Sequence, residues 1–366
     1  MKVCHLTSVH PANDTRIFIK ECKSLANEGF EVHFIVPGIS DSIDENVHLH
    51  GIKKINRNRF TRMTKTVNSV YKKAISINAD IYHFHDPELL YIGLKLKKSG
   101  KIVIYDIHED LPRALLSKKW INPIFRKVIS TFFELFENKL SRKFDYLFPA
   151  TPYITERFKK INLNTVNINN YPLLNELQNL NKPEVTNKKN QVCYVGVLGT
   201  ARGSNQILEA ASLINGTICI AGKINSHQIK EQIMGHESIK YLGSLDRTGV
   251  KKLLSQSVAG IVTFLPEPNH INAQPNKMFE YMSAGIPVIC SNFSLWRSII
   301  EKHDCGICVD PKDPEAIANA INFLIENPEI AEEMGRNGRK AIETEYNWEQ
   351  ESVKLIDTYK KCIKYG

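Results

Sequence analysis

Short β-branched runs alternate with amphipathic helical patterns along almost the whole chain. Strands separated by helices can pair only as parallel neighbours, with the helices covering both faces of the sheet. The alternation therefore predicts an α/β protein built on doubly wound parallel sheets. The strand candidates lie at residues 3–9, 31–37, 80–85, 101–107 and 145–150 in the first half, and at 191–198, 217–222, 239–244, 259–265 and 286–291 in the second.

The alternation breaks between residues 171 and 190, where YPLLNELQNLNKPEVTNKKN carries five asparagines, two prolines and three lysines. Such a stretch is typical of an exposed linker. We therefore predict two Rossmann-like domains facing each other across a cleft, at residues 1–170 and 191–345. Residues 346–366 are expected to form a helix that packs back on the first domain. Gly338 and Asn347 are expected to break the helices of this tail.

Composition and charge narrow the class of protein. Hydrophobic residues make up 42% and charged residues 24%, which excludes wholesale disorder. The opening MKVCHLTSVH lacks the apolar run of a secretory signal, so the eight cysteines are expected to be reduced thiols of a cytoplasmic protein.

The first 170 residues hold 27 Lys and Arg against 17 Asp and Glu, and the remainder 21 against 22. This asymmetry indicates either an anionic partner for the first half or a solvated, lysine-rich surface.

The segment HINAQPNKMFEYMSAGIPVICS (270–291) carries the strongest functional signal. It predicts a loop that enters a helix near Pro275, with Gly285 ending the helix before the next strand. The N–H groups and the positive dipole end of such a helix start attract anions, and Lys277 adds a positive charge. Glu280 lies one turn further on, where its carboxylate can accept hydrogen bonds from a ribose diol. The order matches the layout of a nucleotide; the simpler interpretation is a capped helix with a surface glutamate.

A second candidate segment is YVGVLGTARGSNQILEA (194–210), where a strand runs through a glycine-containing loop into a helix. Gly196, Gly199 and Gly203 would let the backbone approach a pyrophosphate closely. Arg202 is available there for a charge-assisted contact. The spacing matches neither a dinucleotide fingerprint nor a P-loop, and a tight strand-to-helix turn needs no ligand.

Polar side chains follow three predicted strands of the first half. His108 comes directly after one strand, and Asp14 and Arg16 lie in the loop after another. His85 and Asp86 follow a third, and because a proline comes next, helix capping is the role expected of Asp86. Such side chains at the carboxyl edge of a sheet are typical of an active-site rim. Their spacing is not that of a known metal site, so no metal is expected.

Together, these segments resemble glycosyltransferase family 4, whose members are retaining, metal-independent enzymes with the two-domain GT-B fold. The resemblance covers essentially the whole chain and is most specific at PNKMFEYMSAGIPVI (275–289), which is similar to the donor segment of a capsule and exopolysaccharide branch. The opening HPANDTRIFIKECKSLANEGFEV (10–32) is similar to the acceptor-side opening of that branch. The IHED segment (107–110) resembles the family's strand-end histidine, and YVGVLGTARG (194–203) its pyrophosphate loop.

The resemblance implies a role for each matching position. Glu280 stands at the second glutamate of the family's Glu-x7-Glu motif and would hold the donor ribose, whereas Asn272 replaces the first glutamate. Arg202 stands where the family has a phosphate-binding lysine. Val197 replaces the family's arginine, so Lys277 would supply the second charge. The implied catalytic residues are His108, Arg202, Lys277 and Glu280; the donor-binding residues are Gly199, Thr200, Arg202, Asn272, Gln274, Pro275, Asn276, Lys277, Met278 and Glu280; and the acceptor-side residues are Asp14, Arg16, His85 and Glu109.

The resemblance also implies a reaction, in which a sugar is transferred with retention while a diphosphate leaves. Arg202, Lys277 and the helix start would stabilise the growing negative charge by preorganised electrostatics, without a metal or other cofactor. The expected donor is a nucleoside diphosphate sugar, with uridine as the first choice of base, and the expected group is a hexose or N-acetylhexosamine. The expected acceptor is a glycan or a polyprenyl-diphosphate-linked saccharide of cell-surface polysaccharide synthesis, and no nucleic acid partner is expected.

One basic segment of the first half interleaves cations with aromatic side chains. A cationic helix with large aromatics suits the headgroup region of an anionic membrane, which predicts peripheral contact at the membrane's inner face. The alternative is an aromatic stripe that faces the core, with the lysines outside. The segment is LLSKKWINPIFRKVISTFFELFENKLSRKF (115–144), and its aromatic residues include Trp120, Phe125, Phe132, Phe133 and Phe136.

Two other functions remain open at this point. A nucleotide-sugar 2-epimerase shares the two-domain architecture, although it would need several carboxylates in its cleft. A non-enzymatic binder of nucleic acid or anionic polymer could use the basic half, although no nucleic-acid-binding motif is present.

Overall fold

The computed structural model describes residues 1–53, 62–118, 120–176 and 190–364. The chain divides into two compact units: the first comprises Met1–Asn170 and Trp348–Gly366, and the second comprises Tyr171–Asn347. Of the predicted linker, residues 177–189 lie outside the described residues. Its first residue, Tyr171, is buried and packs edge-on against the rings of Phe279 and Tyr346. The second unit therefore begins earlier than composition suggested.

The first unit contains a seven-stranded sheet among its described residues. The strands are β1 (Lys2–Leu6), β2 (Glu31–Pro37), β3 (Ser42–Asp44), β4 (Val47–Ile52), β5 (Ile81–Phe84), β6 (Ile102–Ile107) and β7 (Tyr146–Pro149). Their order is β3-β4-β2-β1-β5-β6-β7, and every neighbouring pair is parallel except β3 with β4. The helical segments are Thr15–Cys22, Lys23–Asn27, Arg62–Thr66, Val67–Ile77, Pro87–Leu89, Leu90–Lys98, Leu111–Leu116, Pro123–Ser141, Pro152–Lys159 and Trp348–Lys364.

The second unit contains a six-stranded sheet among its described residues. The strands are β8 (Gln191–Val195), β9 (Thr217–Ala221), β10 (Ile239–Tyr241), β11 (Gly260–Val262), β12 (Val288–Ser291) and β13 (Gly306–Val309). Their order is β10-β9-β8-β11-β12-β13, and all neighbouring pairs are parallel. The helical segments are Leu174–Glu176, Thr200–Arg202, Ser204–Ala211, His227–Met234, Arg247–Gln256, Asn276–Ala284, Ser294–His303, Pro314–Glu326 and Pro328–Thr344.

Burial of the central strands on both faces of each sheet explains why their sequences are nearly continuous apolar runs. The central strands β1, β5, β11 and β12 are buried along most of their length, as expected of parallel sheets covered on both faces. Hydrophobic clusters lie on both faces of the second sheet, formed in part by alternate residues of β8. The prediction of two doubly wound α/β units is confirmed.

The tail differs from its prediction at one glycine. Gly338 lies inside helix Pro328–Thr344, where an added Cβ would come within 3.3 Å of the Cys305 and Met282 side chains. The predicted helix break there is wrong, because this glycine serves close packing. The final helix packs on the first unit, where Trp348 Nε1 donates to Ser24 Oγ over 3.0 Å.

Strand order also fixes where a ligand would bind in each unit. In the second sheet, the chain leaves β8 toward β9 on one side, while β11 lies on the other side. In the first sheet, the chain likewise leaves β1 toward β2 on one side, while β5 lies on the other side. Ligands of doubly wound sheets bind at the carboxyl ends of such diverging strands. The loops that follow β8 and β11 in one unit, and β1 and β5 in the other, are therefore the places to examine.

Candidate active site

The loop after β8 brings its backbone directly against Lys277. Gly196 follows β8 and has φ of 114°. A Cβ there would lie 2.7 Å from Lys277 Cε and 2.8 Å from its Nζ. Lys277 belongs to helix Asn276–Ala284, which follows β11 along the chain. Gly196 thus provides the space that lets this ammonium group lie at the end of β8.

Arg202 and Lys277 lie close to the same aromatic ring. The Arg202 guanidinium lies 5.3 Å from the centroid of the Phe264 ring, and Lys277 Nζ lies 5.4 Å from the same centroid. Arg202 Nη1 also donates to the Val197 carbonyl over 3.0 Å. Phe264 follows β11 and Val197 follows β8. The two predicted phosphate-binding cations therefore meet at the diverging strands.

The surroundings of Lys277 disfavour its charge. Burial, and secondly the positive charge of Arg202, lower the pKa of Lys277 from 10.5 to about 8, although Glu280 opposes this. No carboxylate in the described parts of the chain forms an ion pair with it. A diphosphate bound here would bring the negative charge that the two cations lack.

The helix that carries Lys277 begins with an open N-terminus. Pro275 is the residue before the first helical residue, not a member of the first turn. Among the described residues, no side chain caps this helix, so its positive dipole end is unmatched. Gln274, just before it, has a buried Oε1 with no hydrogen-bond partner among the described residues. Its Nε2 donates to the Tyr171 hydroxyl over 3.4 Å.

Glu280 has a partner that the sequence did not reveal. Arg247 Nη1 lies 3.3 Å from Glu280 Oε1, and the same guanidinium pairs with Glu176. Arg247 is the first residue of its helix, and no local pattern connects it with Glu280. The side chain of Glu280 is 24% exposed, so the carboxylate is held in place while remaining open to a ligand.

The other predicted donor residues differ in what they offer. Thr200 is exposed, and Gly199 is extended, with φ of −169°. Asn272 and Asn276 lie in the turn before the helix and at its first position. Met278 is completely buried, so its side chain packs in the core. Any contact of Met278 with a donor would therefore be made by its backbone, which lies near the helix start.

In the first unit, His108 belongs to a buried charge network. Its Nε2 lies 2.6 Å from Asp106 Oδ2, and the imidazole is 21% exposed. Arg16 donates to both oxygens of Asp106, over 2.6 and 2.9 Å, and His85 Nδ1 lies 2.9 Å from Oδ2. Although burial opposes ionisation, Arg16 and the histidines hold the pKa of Asp106 well below its ordinary value. Asp106, which the sequence did not single out, thus orients His108.

Arg16 and His85 lie beneath the surface, at 4% and 2% exposure. The expectation that they line an acceptor site is corrected, because they could act on an acceptor only through neighbours. Glu109 is exposed. Asp14 accepts hydrogen bonds from the backbone N–H groups of Arg16 and Ile17, over 2.9 and 3.0 Å. It therefore caps the first helical segment.

Asp86 does not cap the helix that follows it. Its Oδ2 accepts hydrogen bonds from Thr7 Oγ1 over 2.7 Å and from the Ser8 backbone N–H over 2.6 Å. The predicted capping role is wrong, because the carboxylate instead ties the loop after β1 to the end of β5.

The chain therefore consists of two α/β units with mostly parallel sheets, and the second unit holds two cations beside the start of a helix. Family models identify the chain further. The model described as Glycosyltransferase Family 4 matches residues 16–168, and the model described as Glycosyl transferases group 1 matches residues 176–341. The chain therefore belongs to the GT-B glycosyltransferases.

Individual relatives agree with this family. The chain is 22% identical to an uncharacterized glycosyltransferase of Methanocaldococcus jannaschii, over 100% of this chain and 99% of the relative. It is 24% identical to the D-rhamnosyltransferase WbpZ of Pseudomonas aeruginosa, over 74% and 71%.

Solved structures share the fold. Sucrose-phosphate synthase from Thermosynechococcus elongatus has a TM-score of 0.77 at 17% identity, covering 100% of this chain and 99% of the other. Anabaena HepE in complex with UDP-glucose has a TM-score of 0.73 at 16% identity, covering 99% and 100%. At these identities the likeness concerns the fold. None of the helices in the described parts of the chain has the length and apolar character that a bilayer crossing requires.

Proposed function

We propose that the protein transfers a sugar, with retention of configuration, from a UDP-sugar to a glycan or lipid-linked saccharide of cell-surface polysaccharide synthesis. The observation that carries the proposal is the pair of cations, Arg202 and Lys277, which both lie within 5.4 Å of the centroid of the Phe264 ring. Arg202 already holds one backbone carbonyl and Lys277 has no ion-pair partner among the described residues, so both can accept a diphosphate. Stabilising the leaving diphosphate is where the reaction needs positive charge.

The open helix start and Glu280 complete the proposed donor site. The dipole end at Asn276 adds to the positive potential around the diphosphate. One turn further on, Glu280 can accept hydrogen bonds from both ribose hydroxyls while Arg247 holds its other side. We propose that no metal takes part in the transfer, because the cations of the chain perform the stabilisation.

The sugar and acceptor roles fall to the first unit. His108 is partly exposed and its orientation is fixed by Asp106, which suits a residue that contacts the donor sugar. Asp14 and Glu109 are the remaining polar groups proposed on the acceptor side. No nucleophile on the protein is proposed, since the departing phosphate would take the proton of the attacking hydroxyl.

The named relatives support the choice of substrates. HepE has been solved with UDP and with UDP-glucose, and WbpZ is a D-rhamnosyltransferase. From HepE we carry over the class of donor, a UDP-sugar. A hexose or N-acetylhexosamine as the transferred group is proposed from the family resemblance.

Thermal shift measurements with UDP-, GDP-, ADP- and TDP-sugars test the donor site. We expect a UDP-sugar to raise the melting temperature, and Glu280→Ala to abolish the rise. Glu301→Ala, on an exposed helix position, is the matched control and should leave it intact. A shift that persists in Glu280→Ala would refute the ribose assignment. Product analysis then separates transfer, which releases UDP only with an acceptor, from epimerisation, which needs none.

We further propose that helix Pro123–Ser141 docks on an anionic membrane. The helix has an inverted distribution of side chains: Ser130, Glu137 and Ser141 are buried, while its outer face is apolar. The exposed apolar side chains follow spacings of three and four residues, as one helix face requires. They are Ile124, Phe125, Val128, Ile129, Phe132, Leu135 and Phe136, with Trp120 just before the helix.

Charge complementarity supports a membrane as the partner. Lys127, Lys139 and the two basic residues after the helix are exposed. The carboxylates of the helix are instead neutralised: Glu134 pairs with Arg113 over 2.8 Å, and Glu137 pairs with Arg157. The outward face is therefore apolar and cationic, a combination that favours an anionic bilayer interface.

Flotation with vesicles tests this docking. We expect the protein to float with vesicles of phosphatidylglycerol and phosphatidylcholine at low salt, and less with phosphatidylcholine alone. Phe125→Ser with Phe132→Ser should abolish flotation, whereas Leu163→Ser removes an even more exposed apolar side chain elsewhere and should not. Equal flotation of both variants would contradict the assignment of this face.

A further inference from the structure

A group of four ligating side chains lies buried in the first unit, and one of them, His85, also borders Asp106 and His108. His5, Glu21, His83 and His85 each contribute one atom to a set in which all atoms lie within 4.8 Å of one another. None of the four is more than 2% exposed. We call this set the buried histidine cluster.

The fold brings these residues together through adjacent strands. His5 on β1 and His83 on β5 are direct partners in the parallel register, so their side chains project from the same face of the sheet. His85 follows the end of β5, two residues on from His83, and therefore shares that face. Glu21 projects from the helical segment Thr15–Cys22. Its Oε2 lies 3.9 Å from Nδ1 of each of the three histidines.

Several polar atoms of the cluster have no hydrogen-bond partner. Both carboxylate oxygens of Glu21, and Nε2 of His5 and of His83, are buried and unpaired among the described residues. Arg16 Nε lies 3.2 Å from Glu21 Oε1, but it donates its hydrogen to Asp106 at 2.9 Å. A buried carboxylate without a partner costs several kcal/mol, so the cluster requires either a proton on Glu21 or a cation.

The donor set is that of a transition metal. Three imidazoles and one carboxylate match the ligands of Zn²⁺, whose bonds of about 2.0–2.1 Å place tetrahedral ligand atoms about 3.3 Å apart. The 3.9 Å separations from Glu21 would close to that value with movements of a few tenths of an ångström.

The Nδ1 atoms that face Glu21 have neighbours within hydrogen-bonding distance. The Tyr359 hydroxyl lies 2.8 Å from His83 Nδ1, Asp106 Oδ2 lies 2.9 Å from His85 Nδ1, and His85 Nε2 lies 3.0 Å from His5 Nδ1. An ion bound through Nδ1 would replace these hydrogen bonds. A second set of His85, Asp106 and His108 also converges, but Arg16 occupies the carboxylate of Asp106 through two hydrogen bonds. The buried histidine cluster is therefore the set whose carboxylate has no hydrogen-bond partner among the described residues.

We propose that the buried histidine cluster binds one transition metal ion of the Zn²⁺ class, held by His5, Glu21, His83 and His85. The ion would join β1 and β5 to the helical segment that carries Glu21. It would have a structural role and is separate from the diphosphate site, whose residues belong to the other unit.

Metal titration of the full chain tests the proposal. Protein stripped with a chelator is titrated with Zn²⁺, and with Co²⁺ as a spectroscopic probe. We expect one equivalent to bind, Co²⁺ to give the visible bands of a tetrahedral site, and the melting temperature to rise with Zn²⁺.

Variants locate the ion. Removing an outer partner of a metal site commonly costs 10–100-fold in affinity, so Glu21→Gln, which removes a ligand, should cost at least that much. His83→Gln serves as an independent second variant. His50→Gln is the matched control, because His50 pairs with His33 over 2.8 Å on the same sheet but lies outside the cluster. The affinity of this variant for Zn²⁺ should be unchanged.

Three results would overturn the proposal: no bound equivalent, affinity unchanged in Glu21→Gln, or an equal loss in the His50→Gln control. If stripped protein binds no metal and Glu21→Gln is as stable as the parent chain, Glu21 carries a proton instead. If a variant fails to fold, the stoichiometry and the Co²⁺ bands of the parent chain still decide the matter. Donor binding is measured separately, so failure here leaves the proposed function untouched.

Discussion

Replacing Lys277 with methionine is expected to stabilise the free protein while weakening its binding of a UDP-sugar. Burial and the charge of Arg202 lower the pKa of Lys277 from 10.5 to about 8. That difference corresponds to about 3 kcal/mol, at about 1.4 kcal/mol per pH unit. Methionine is similar in length and uncharged, so Lys277→Met should raise the free energy of unfolding at neutral pH by up to this amount.

The stability that Lys277→Met gains over the parent protein should decrease as the pH rises. Between pH 8 and 10.5 the unfolded chain binds a proton at Lys277 that the folded chain has lost. The stability of the parent protein therefore rises with pH in this window. The advantage of Lys277→Met should be complete below about pH 8 and vanish near pH 10.5. Chemical denaturation across this range measures it, with the exposed Lys252 changed to methionine as the control.

Calorimetric titration with UDP tests whether Lys277→Met weakens donor binding. Because the diphosphate needs the ammonium form, the affinity of the parent protein should fall by up to about tenfold per pH unit above pH 8. Lys277→Met should bind UDP weakly and without this dependence. Unchanged UDP affinity in Lys277→Met, or a loss of stability in place of a gain, would refute the reasoning.

Two further substitutions test the donor unit. Arg247→Ala removes the partner of Glu280. Since a partly exposed charge pair contributes up to about 1 kcal/mol, the affinity for UDP should fall about fivefold in the same titration. Arg336→Ala, at a surface pair, should have no effect, and a loss shared by both variants would contradict the positioning role of Arg247. Gly203→Ala should destabilise the protein by more than about 2 kcal/mol in chemical denaturation, because Gly203 has φ of 78° and its Cβ would lie 2.3 Å from a carbonyl oxygen. Gly235→Ala, with φ of −90° and no Cβ contact shorter than an ordinary 3.5 Å, should be neutral, and equal effects of the two glycine substitutions would count against the conformational argument.

The sheets could be predicted because parallel strands buried on both faces leave long apolar runs in the sequence. Each of the ten predicted strands corresponds to a strand of the structure. The edge strand β3 and its neighbour β4 were missed, since VHLHGI of β4 mixes histidines with apolar residues, and β3 is exposed along its length. Edge strands are only half covered and so carry a weaker signal.

Helix Pro123–Ser141 shows a limit of periodicity. The spacing of its aromatic residues reveals a face but not the side to which it points, because a core and a membrane select the same residues. The structure turns Phe125 and Phe132 outward, while Phe133 packs partly against the core. The direction is set by the buried pair of Glu137 and Arg157, which no local pattern could indicate.

The residues proposed for the donor site could be singled out because they lie close together in the sequence, around a helix start. Arg247 was missed because its relation to Glu280 exists only in the folded chain. Asp86 was assigned to the wrong role for the same reason, since its partners are on another strand loop. Capping rules describe local alternatives, and tertiary contacts can outweigh them.

A crystal structure of the protein with UDP tests the central claim most directly. We expect the diphosphate within hydrogen-bonding distance of Arg202, Lys277 and the start of helix Asn276–Ala284, with the ribose on Glu280. UDP bound with these two cations turned away from its phosphates would contradict it.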